Sequence, residues 1–597
     1  MINVLLALLR SGSGRQRLLL AIALAGALVA GPARAQAPRP GPPADSAAVT
    51  ALVGPTALNP ADSTVLPDAT LLIEGDRLAA VGPSADVTVP DGATVYDLSD
   101  HYVMPGLIDG HVHFFQSGGL YTRPDALDLR AHRPYAEELR RIKARLPDTF
   151  RRYLRSGITG VVDVGGPMWN LDVRARADTT ARAPTVAVAG PLISSVSRPS
   201  LDEGDPPILQ ITTPEAARRE VREQVAAGVD LIKIWYIVRD SPADYRPVVE
   251  ATVDEAHAAG TRVAVHATQL ETARAAVEAG ADILVHSVFD APVDEAFVRL
   301  LRENDVLYTP TLMVSERYRE TFAQQLDLTT AEHRIGQKDV LGSLTDLQML
   351  PDSLVPVSIR QRIPRSPAVA SDTTAMRNLK RLHDAGVPIV AGTDAGNIGT
   401  PHGPALVHEF ALMRAAGLSP QAILATATAG GARLMGRDDL GVLAPGAQAD
   451  LLVLDDDPFA DIDHVQALDR VVADGRLFAP EALVPRTPAA VVKQARNAFN
   501  MHDAEVFLDA FAADVRVYDH PNTLQYAGRD SLAAWARPLF GGAPRLHVTL
   551  RSVTTVGQTV VAHETIRGLP DRDAPLSQVV LYRVTDGAID RVWVVSD

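Results

Sequence analysis

Eight short apolar runs spaced through the middle of this chain limit its fold more than any other feature. They are the run ending in His111 and the segments 157–164, 185–192, 231–237, 262–266, 283–288, 306–312 and 388–392. Helix-patterned stretches such as Pro214–Ala227 and 270–279 stand between several of them. Joining parallel strands takes a crossover of a dozen or more residues, usually a helix. The alternation therefore predicts a parallel β/α barrel, whose chemistry sits at the C-terminal ends of the strands.

The residues at those ends carry the functional signal. His111 and His113 are two apart directly after an apolar run, and positions i and i+2 of a strand face the same way. Two neutral imidazoles converging like this suit a divalent metal, zinc above all; a surface His-x-His with no ligand role is the other reading. Lys233 lies inside Leu231-Ile232-Lys233-Ile234-Trp235, where an ammonium is costly unless paired or neutralised. His266 and His286 each end an apolar run, and Asp394 ends 389–394. Any one of these alone is readable as a hydrogen-bonded core polar group. Several at one predicted mouth, each breaking the local pattern, point to a site.

The flanks read differently. Alternating strands at 48–53, 69–74 and 77–81 are too few to make a stable sheet alone. Their expected partners lie at 450–454 and 470–478, where Asp474-Gly475 is a hairpin turn signal. One composite β-sandwich, 47–103 with 440–484, would thus bracket a barrel at 104–439. At the N-terminus Arg10, Arg15 and Arg17 precede an apolar run, and Ala33-Arg34-Ala35 follows it, the pattern of a signal peptide over 1–35. Residues 36–46 form a Pro-rich spacer. The expectation is export, periplasmic or secreted, with no membrane contact after cleavage; an uncleaved anchor is disfavoured by the shortness of the apolar run. A formal net charge of -15 argues against nucleic acid as a partner. The chain has no cysteine, which excludes disulfides and thiolate ligands and leaves His, carboxylate or Lys-derived groups to hold any metal.

After Pro485 the pattern changes again. Helices are predicted over 491–513 and strands at 515–518, 547–556, 559–565, 577–584 and 589–595. Residues 487–597 resemble a SnoaL-like domain of the nuclear-transport-factor-2-like fold, an α+β cone. Asp519, His520, His547 and His563 are polar groups that could line its cavity. Ligand binding, pairing of chains into a homo-oligomer and a second catalytic site all stay open for it. Residues 479–487 read as an exposed linker between separate cores.

The ordered set His111-x-His113, Lys233, His266, His286 and Asp394 is similar to that of the metal-dependent amidohydrolase superfamily. It lies nearest the imidazolonepropionase-like and prolidase-like branch that also contains the fungal ochratoxinase. Val103-Met104-Pro105-Gly106-Leu107-Ile108-Asp109, Asp254 to Gly260, and Leu443-Ala444-Pro445-Gly446 with Ala449-Asp450-Leu451 support the likeness. The resemblance implies a distorted (β/α)8 barrel with a composite sandwich. It further implies two divalent ions, zinc foremost: His111, His113 and Asp394 hold the more buried one, and His266 and His286 the more exposed. Lys233 matches an N-carboxylated lysine bridging them. Asp394 takes a proton from the bridging water and passes it to the leaving nitrogen. The implied activity is hydrolysis of an amide C–N bond in a small dipeptide or N-acyl amino acid. A cyclic amide and a non-catalytic metal or ligand-binding role are the alternatives.

Two loops depart from the prolidase-like pattern. Trp235-Tyr236-Ile237-Val238-Arg239-Asp240 replaces a Gly-rich loop with a Ser-Pro motif, and the loop after Gly190-Pro191 lacks Gly-Gly-His. Specificity for Xaa-Pro is therefore unsupported. Tyr236 and Arg239 could hold a substrate carboxylate, the arginine bidentately, or Arg239 could be a solvated loop residue. His402 is a candidate rim contact and His408 a structural one. The polar insertion 315–370 is either a lid or packing on the barrel's outside.

Overall fold

The computed structural model describes residues 49–238, 241–361, 373–543, 545–569 and 574–596. The signal peptide 1–35, the whole Pro-rich spacer 36–46 and Arg239 lie outside the described residues.

The barrel closes as the alternation predicts. Leu107–Val112 runs parallel to Ile158–Asp163, which runs parallel to Thr185–Val188. Leu231–Trp235, Arg262–His266, Ile283–Val285 and Leu307–Thr309 continue in parallel register. A bridge from Ala189 to Leu231 joins the two sets. The last stave is held by the bridges Tyr308–Ile389 and Val112–Ala395 instead of a regular ladder. Val390 N–H donates to Tyr308 O at 2.9 Å and Gly110 N–H to Ala391 O at 2.9 Å, which seals the ring. The predicted strand 185–192 breaks at Gly190-Pro191, because proline has no N–H to give a ladder. Leu192–Ser194 instead runs beside Ile208–Gln210 and the end of Leu231–Trp235.

The crossover helices start where their caps dictate. Thr213, Ser241 and Asp294 each accept a backbone N–H at the start of Pro214–Ala227, Pro242–Ala258 and Glu295–Glu303. Proline occupies the first turn of the first two, where its missing donor costs nothing. The apolar faces of these helices and the strands form the largest core, which includes Phe150, Ile234, Val265 and Phe297.

The two flanks meet in one six-stranded sheet. Leu451–Leu454 pairs antiparallel with both Leu468–Ala473 and Tyr102–Pro105, and Tyr102–Pro105 runs parallel to Thr56–Asn59. The predicted hairpin Ala69–Glu74 with Arg77–Pro83 lies in a second sheet with Thr50–Val53 and Thr94–Asp97. Leu52, Leu71 and Leu78 from that sheet share a core with Val103, Leu451 and Val472. The hairpin turns touch: a Cβ on Gly475 would come within 1.9 Å of Gly75 O, so only glycine fits there.

The insertion has a core of its own. Met313–Ala323, Thr330–Ile335 and Lys338–Ser343 are helices, and Phe322, Leu341, Leu344 and Leu347 pack over Leu120, Leu127 and Ile398. The last domain orders its six strands as Thr523–Ala527, Phe511–Asp519, Ala588–Ser596, Leu576–Thr585, Thr559–Arg567 and His547–Val556. Helices Pro488–Asn500 and Arg529–Gly542 cover it, around a core separate from the barrel's. The sequence reading lacked Thr523–Ala527 and Arg529–Gly542. It also called 479–487 exposed, whereas Pro480–Leu483 is a short helix whose Leu483 is buried against Leu154 and Ala473.

This domain rests on the insertion. Lys493 Nζ reaches Asp339 at 2.8 Å, Arg334 reaches Asp509 at 2.9 Å, and Asn497 Nδ2 donates to Lys338 O at 2.8 Å. His547 Nε2 lies 3.2 Å from Thr345 Oγ1. No helix among the described residues is long and apolar enough to cross a membrane.

Candidate active site

Six side chains predicted from strand ends gather at one end of the barrel. His111 Nε2 and His113 Nε2 lie 3.4 Å and 3.2 Å from Asp394 Oδ1, and His286 Nδ1 lies 4.0 Å from Asp394 Oδ2. The rings of His266 and His286 are centred 4.4 Å apart, those of His111 and His286 4.8 Å apart. Lys233, His266 and His286 line the same cavity with Asp394. His286 and Asp394 both take left-handed backbone conformations, φ 73° and 58°, at the turns that leave their strands. Non-glycine residues hold that region only when surrounding structure fixes them, and such strain gathers at functional sites.

Buried carboxylates fix the frame. Asp109 accepts from Thr393 Oγ1 at 2.7 Å and from the backbone N–H of Thr393 at 3.1 Å and His111 at 3.3 Å. The first stave is thereby tied to the last. Asp163 accepts from Phe114 N–H at 2.8 Å and Gly165 N–H at 3.0 Å. Burial pushes both carboxyls up to about 7 against those donors. His113 Nδ1 donates to Gly165 O at 2.7 Å, which turns its Nε2 inward. His286 Nδ1 lies 2.7 Å from Thr311 Oγ1. A Cβ on Gly392 would fall 2.8 Å from His111 Cβ, so the last stave approaches this closely only with glycine.

The donor set fits divalent metal. His111 Nδ1 and Nε2, Lys233 Nζ and Asp394 Oδ1 are buried without a hydrogen-bond partner among the described residues. Leaving that many polar atoms unsatisfied is costly unless a ligand takes them. Burial lowers His111 and His266 to about 3, and so holds their imidazoles in the neutral, ligating form. Burial raises the Asp394 carboxyl, but the surrounding imidazoles outweigh it and keep the group ionised. Burial brings Lys233 down to about 7, against the pull of Asp394, so a neutral amine is accessible at neutral pH.

The cavity above these groups has a volume of about 330 Å³. Phe115, Leu192, Leu201, Ile208, Trp235 and Phe289 give it a largely apolar wall. Arg123, Tyr318 and Asn397 also line it, and sequence reasoning had missed all three. Arg123 grips Asp125 bidentately, Nε to Oδ1 at 2.7 Å and Nη2 to Oδ2 at 2.8 Å, and its Nη1 donates to Asn397 Oδ1. Tyr318 donates to the same oxygen at 2.9 Å. Tyr318 comes from the insertion, which is therefore a cavity wall and not merely packing outside the barrel. Neither Arg123 in its turn nor Tyr318 on a polar helix stood out from its sequence neighbours.

Two other predicted contacts fall elsewhere. Tyr236 is buried against Tyr245, donates to Pro242 O and does not line the cavity. His402 is enclosed beneath it: Nδ1 meets Tyr153 OH at 2.7 Å, Nε2 meets Gln116 O at 2.8 Å, and the ring stacks on Phe114. With both nitrogens engaged, His402 braces the segment after His113 and contacts no rim. His408 is not among the cavity's lining residues and its Nε2 lies 4.0 Å from Glu316 Oε1; Glu409 beside it accepts from the backbone N–H of Leu312 and Met313, fixing the start of Met313–Ala323. In the last domain Asp519 lines a cavity, but His520, His547 and His563 do not. His547 faces the insertion and His563 an exposed Ser577.

Residues 102–478 match the profile of the amidohydrolase family, and residues 492–592 that of the SnoaL-like domain. An imidazolonepropionase of Cutibacterium acnes is 26% identical over 425 residues, 69% of this chain and 90% of its own length. Two solved structures share the fold. A Xaa-Pro dipeptidase with bound methionine in the active site is 23% identical, with a TM-score of 0.54 over 72% of this chain and all of its own. Molinate hydrolase is 22% identical, with a TM-score of 0.56 over 74% of this chain and 97% of its own.

Proposed function

The chain belongs to the amidohydrolase family and is a hydrolase acting on carbon–nitrogen bonds, and from that premise we propose that it is an exported, metal-dependent enzyme cleaving the amide of an N-acyl amino acid or dipeptide. The observation that carries this reading is the convergence of His111, His113, His266, His286, Lys233 and Asp394, with inner polar atoms of His111, Lys233 and Asp394 left unsatisfied among the described residues. His111, His113 and Asp394 would hold one divalent ion and His266 and His286 a second, with Lys233 as an N-carboxylated bridge. Such ions supply Lewis acidity toward the amide carbonyl and make a nucleophile of water near neutral pH.

The chain's own groups do the rest. Asp394, ionised and at the cavity floor, receives the proton of the attacking water on its carboxylate and returns it to the leaving nitrogen. Arg123 lines the cavity and keeps N–H groups beyond those given to Asp125 and Asn397, to which a substrate carboxylate or carbonyl would bind. The apolar wall excludes water and selects a hydrophobic acyl or side-chain group. A cyclic amide is the second reading, favoured by the name of the Cutibacterium acnes relative. The N-terminal Arg-flanked apolar run supports export.

The test is to load purified protein with zinc, count the metal and assay a panel of N-acyl amino acids, dipeptides and cyclic amides. About two divalent ions per chain and metal-dependent amide hydrolysis are expected, by the ligand set. A loaded protein that binds at most one ion, or cleaves none of the panel, would overturn the reading.

A further inference from the structure

Trp235 ends the stave Leu231–Trp235, two residues after Lys233 and so on the same side of the strand. It is partly buried and lines the catalytic cavity. Its neighbours hold it still. The indole meets the ring of His266 in a T-shaped contact with centres 6.0 Å apart. The Arg198 guanidinium lies over it, 4.7 Å from the ring centre. Arg198 Nε in turn lies 3.6 Å from Asp125 Oδ2, in the carboxylate that Arg123 grips bidentately. Arg123, Asp125, Arg198 and Trp235 come from three separate parts of the chain. They form one unbroken run of contacts, from the arginine placed to take a substrate carboxylate to an aromatic ring beside His266.

Two further rings line the same cavity. Phe289 leaves 45% of its surface exposed, and Phe115 packs against the ring of His113 with centres 5.7 Å apart. A wall that only excludes water needs no ring pinned by a cation on its face. A fixed ring gains from a second ring set against it, offset or edge-on, beyond the area the two bury. Because it is ordered beforehand, little side-chain freedom is lost when a ligand arrives.

We infer that the substrate carries an aromatic ring close to its scissile amide, seated against Trp235, and that Arg198 is a positioning residue holding the indole in place through Asp125. The substrate class is an N-aroyl amino acid or an N-acyl aromatic amino acid. This deepens the amide-cleaving reading of the barrel and rests on it only for the identity of the bond cleaved.

The test uses full-length, zinc-loaded protein and pairs of compounds that differ in aromaticity alone. They are N-benzoylglycine with N-cyclohexanecarbonylglycine, and N-acetylphenylalanine with N-acetylcyclohexylalanine. Uncleavable ketones, with CH2 in place of the amide N–H, are titrated alongside by calorimetry. A merely apolar wall favours the cyclohexyl member, which buries more apolar area. The aromatic member of at least one pair should instead be preferred roughly three- to tenfold in kcat/KM, and its ketone should bind tighter by a similar factor. The pair that shows the preference identifies the side of the amide that carries the ring. Trp235→Leu should bring that ratio to one or below with metal content unchanged, whereas Trp235→Phe should keep most of it. Arg198→Met removes the charge and the tie to Asp125, and it should lower the ratio part of the way while leaving the cyclohexyl compounds unaffected. Should Trp235→Leu misfold or lose metal, Trp235→Phe and Arg198→Met carry the same comparison. No aromatic preference in the wild type, no binding of any ketone, or Trp235 and Arg198 variants that weaken both members of a pair equally would overturn the inference. Failure to cleave any of the four amides would sink the amide reading, and the ketone ratios would still decide this one.

Discussion

Two cavities of nearly equal volume, about 330 Å³ in the barrel and about 320 Å³ in the last domain, are built on opposite plans. In the barrel, polar side chains from five different staves converge on one point, and those of His111, Lys233 and Asp394 keep buried atoms unsatisfied among the described residues. In the cone, Glu564 is already hydrogen-bonded to Tyr582 and Gln578, and the lining is mostly apolar. A catalytic site needs several groups whose satisfaction waits for metal and substrate, whereas a binding pocket needs an apolar wall and one or two fixed donors. Volume alone distinguishes nothing here. The difference is in what the polar atoms lack.

The largest expected effects fall on the barrel. Asp394→Asn should leave the fold and metal content intact and cut turnover by roughly 10²-fold or more, the usual consequence of losing an acid–base group. Near-normal turnover would remove Asp394 from the chemistry. Lys233→Ala should lower metal retention and activity together, because ligand loss and the acidity of bound water are coupled. A short carboxylic acid added to that variant should restore part of the activity by filling the vacated position. Full activity with undiminished metal in Lys233→Ala would end the carbamate assignment.

A second prediction sets two buried acids against each other. Burial raises Glu409 from 4.5 to about 8, against the two backbone donors it accepts from. In the fold it therefore holds its proton where an unfolded glutamate has released it. Its contribution to stability is complete below about 4.5 and is lost as pH rises through about 8. Glu409→Gln keeps one acceptor oxygen for Leu312 or Met313, a loss that is the same at both pH values, and has no such proton to lose. The variant should gain on the wild type between pH 5 and pH 8, on the order of a few kcal/mol, in denaturant titrations at the two values. Asp109 and Asp163, both raised to about 7, act in the same direction and remain in the variant, so the comparison between proteins isolates Glu409. An unchanged difference would mean that Glu409 is ionised in the fold. Glu564→Gln offers the counterpart in the cone, where burial also raises the acid.

Much of the barrel site was legible because each ligand interrupts an apolar strand. Lys233 in Leu231-Ile232-Lys233-Ile234-Trp235, and histidines ending two further runs, are visible against their neighbours. Arg123 and Tyr318 were not, since an arginine in a polar turn and a tyrosine on a polar helix break no local rule. Only long-range folding brings them to Asn397. His402 was misread for the complementary reason. It follows the final stave as a ligand would, but Tyr153 and Gln116, far away in sequence, take both its nitrogens. The strand break at Gly190-Pro191 was present in the sequence and was overridden by the apolar run around it. Thr523–Ala527 escaped notice because an edge strand with mostly exposed side chains lacks the alternation that marks a half-buried one.

The smallest expected effect concerns how far the two cavities depend on each other. The barrel and the cone have separate cores, so a chain ending at Arg486 should fold, bind metal and keep its turnover on a small amide. It retains the Pro480–Leu483 helix, whose Leu483 would otherwise leave Leu154 and Ala473 uncovered. What it loses is the support of the insertion, made through Lys493 to Asp339, Arg334 to Asp509 and Asn497 to Lys338. The first two are partly exposed ion pairs, each contributing about 0.2–1 kcal/mol, so their loss does not unfold the insertion. Its helices would sit less firmly, and with them Tyr318 and the wall of the catalytic cavity. The expected signature is a KM raised by several-fold with kcat little changed, as when ground-state and transition-state contacts weaken equally. Light scattering on the same pair of proteins reports whether the cone also joins chains together. Steady-state kinetics of the shortened and full-length proteins on one substrate decides the matter: unchanged constants make the cone an independent module. An insoluble or metal-free product would show instead that the catalytic unit extends to the end of the chain.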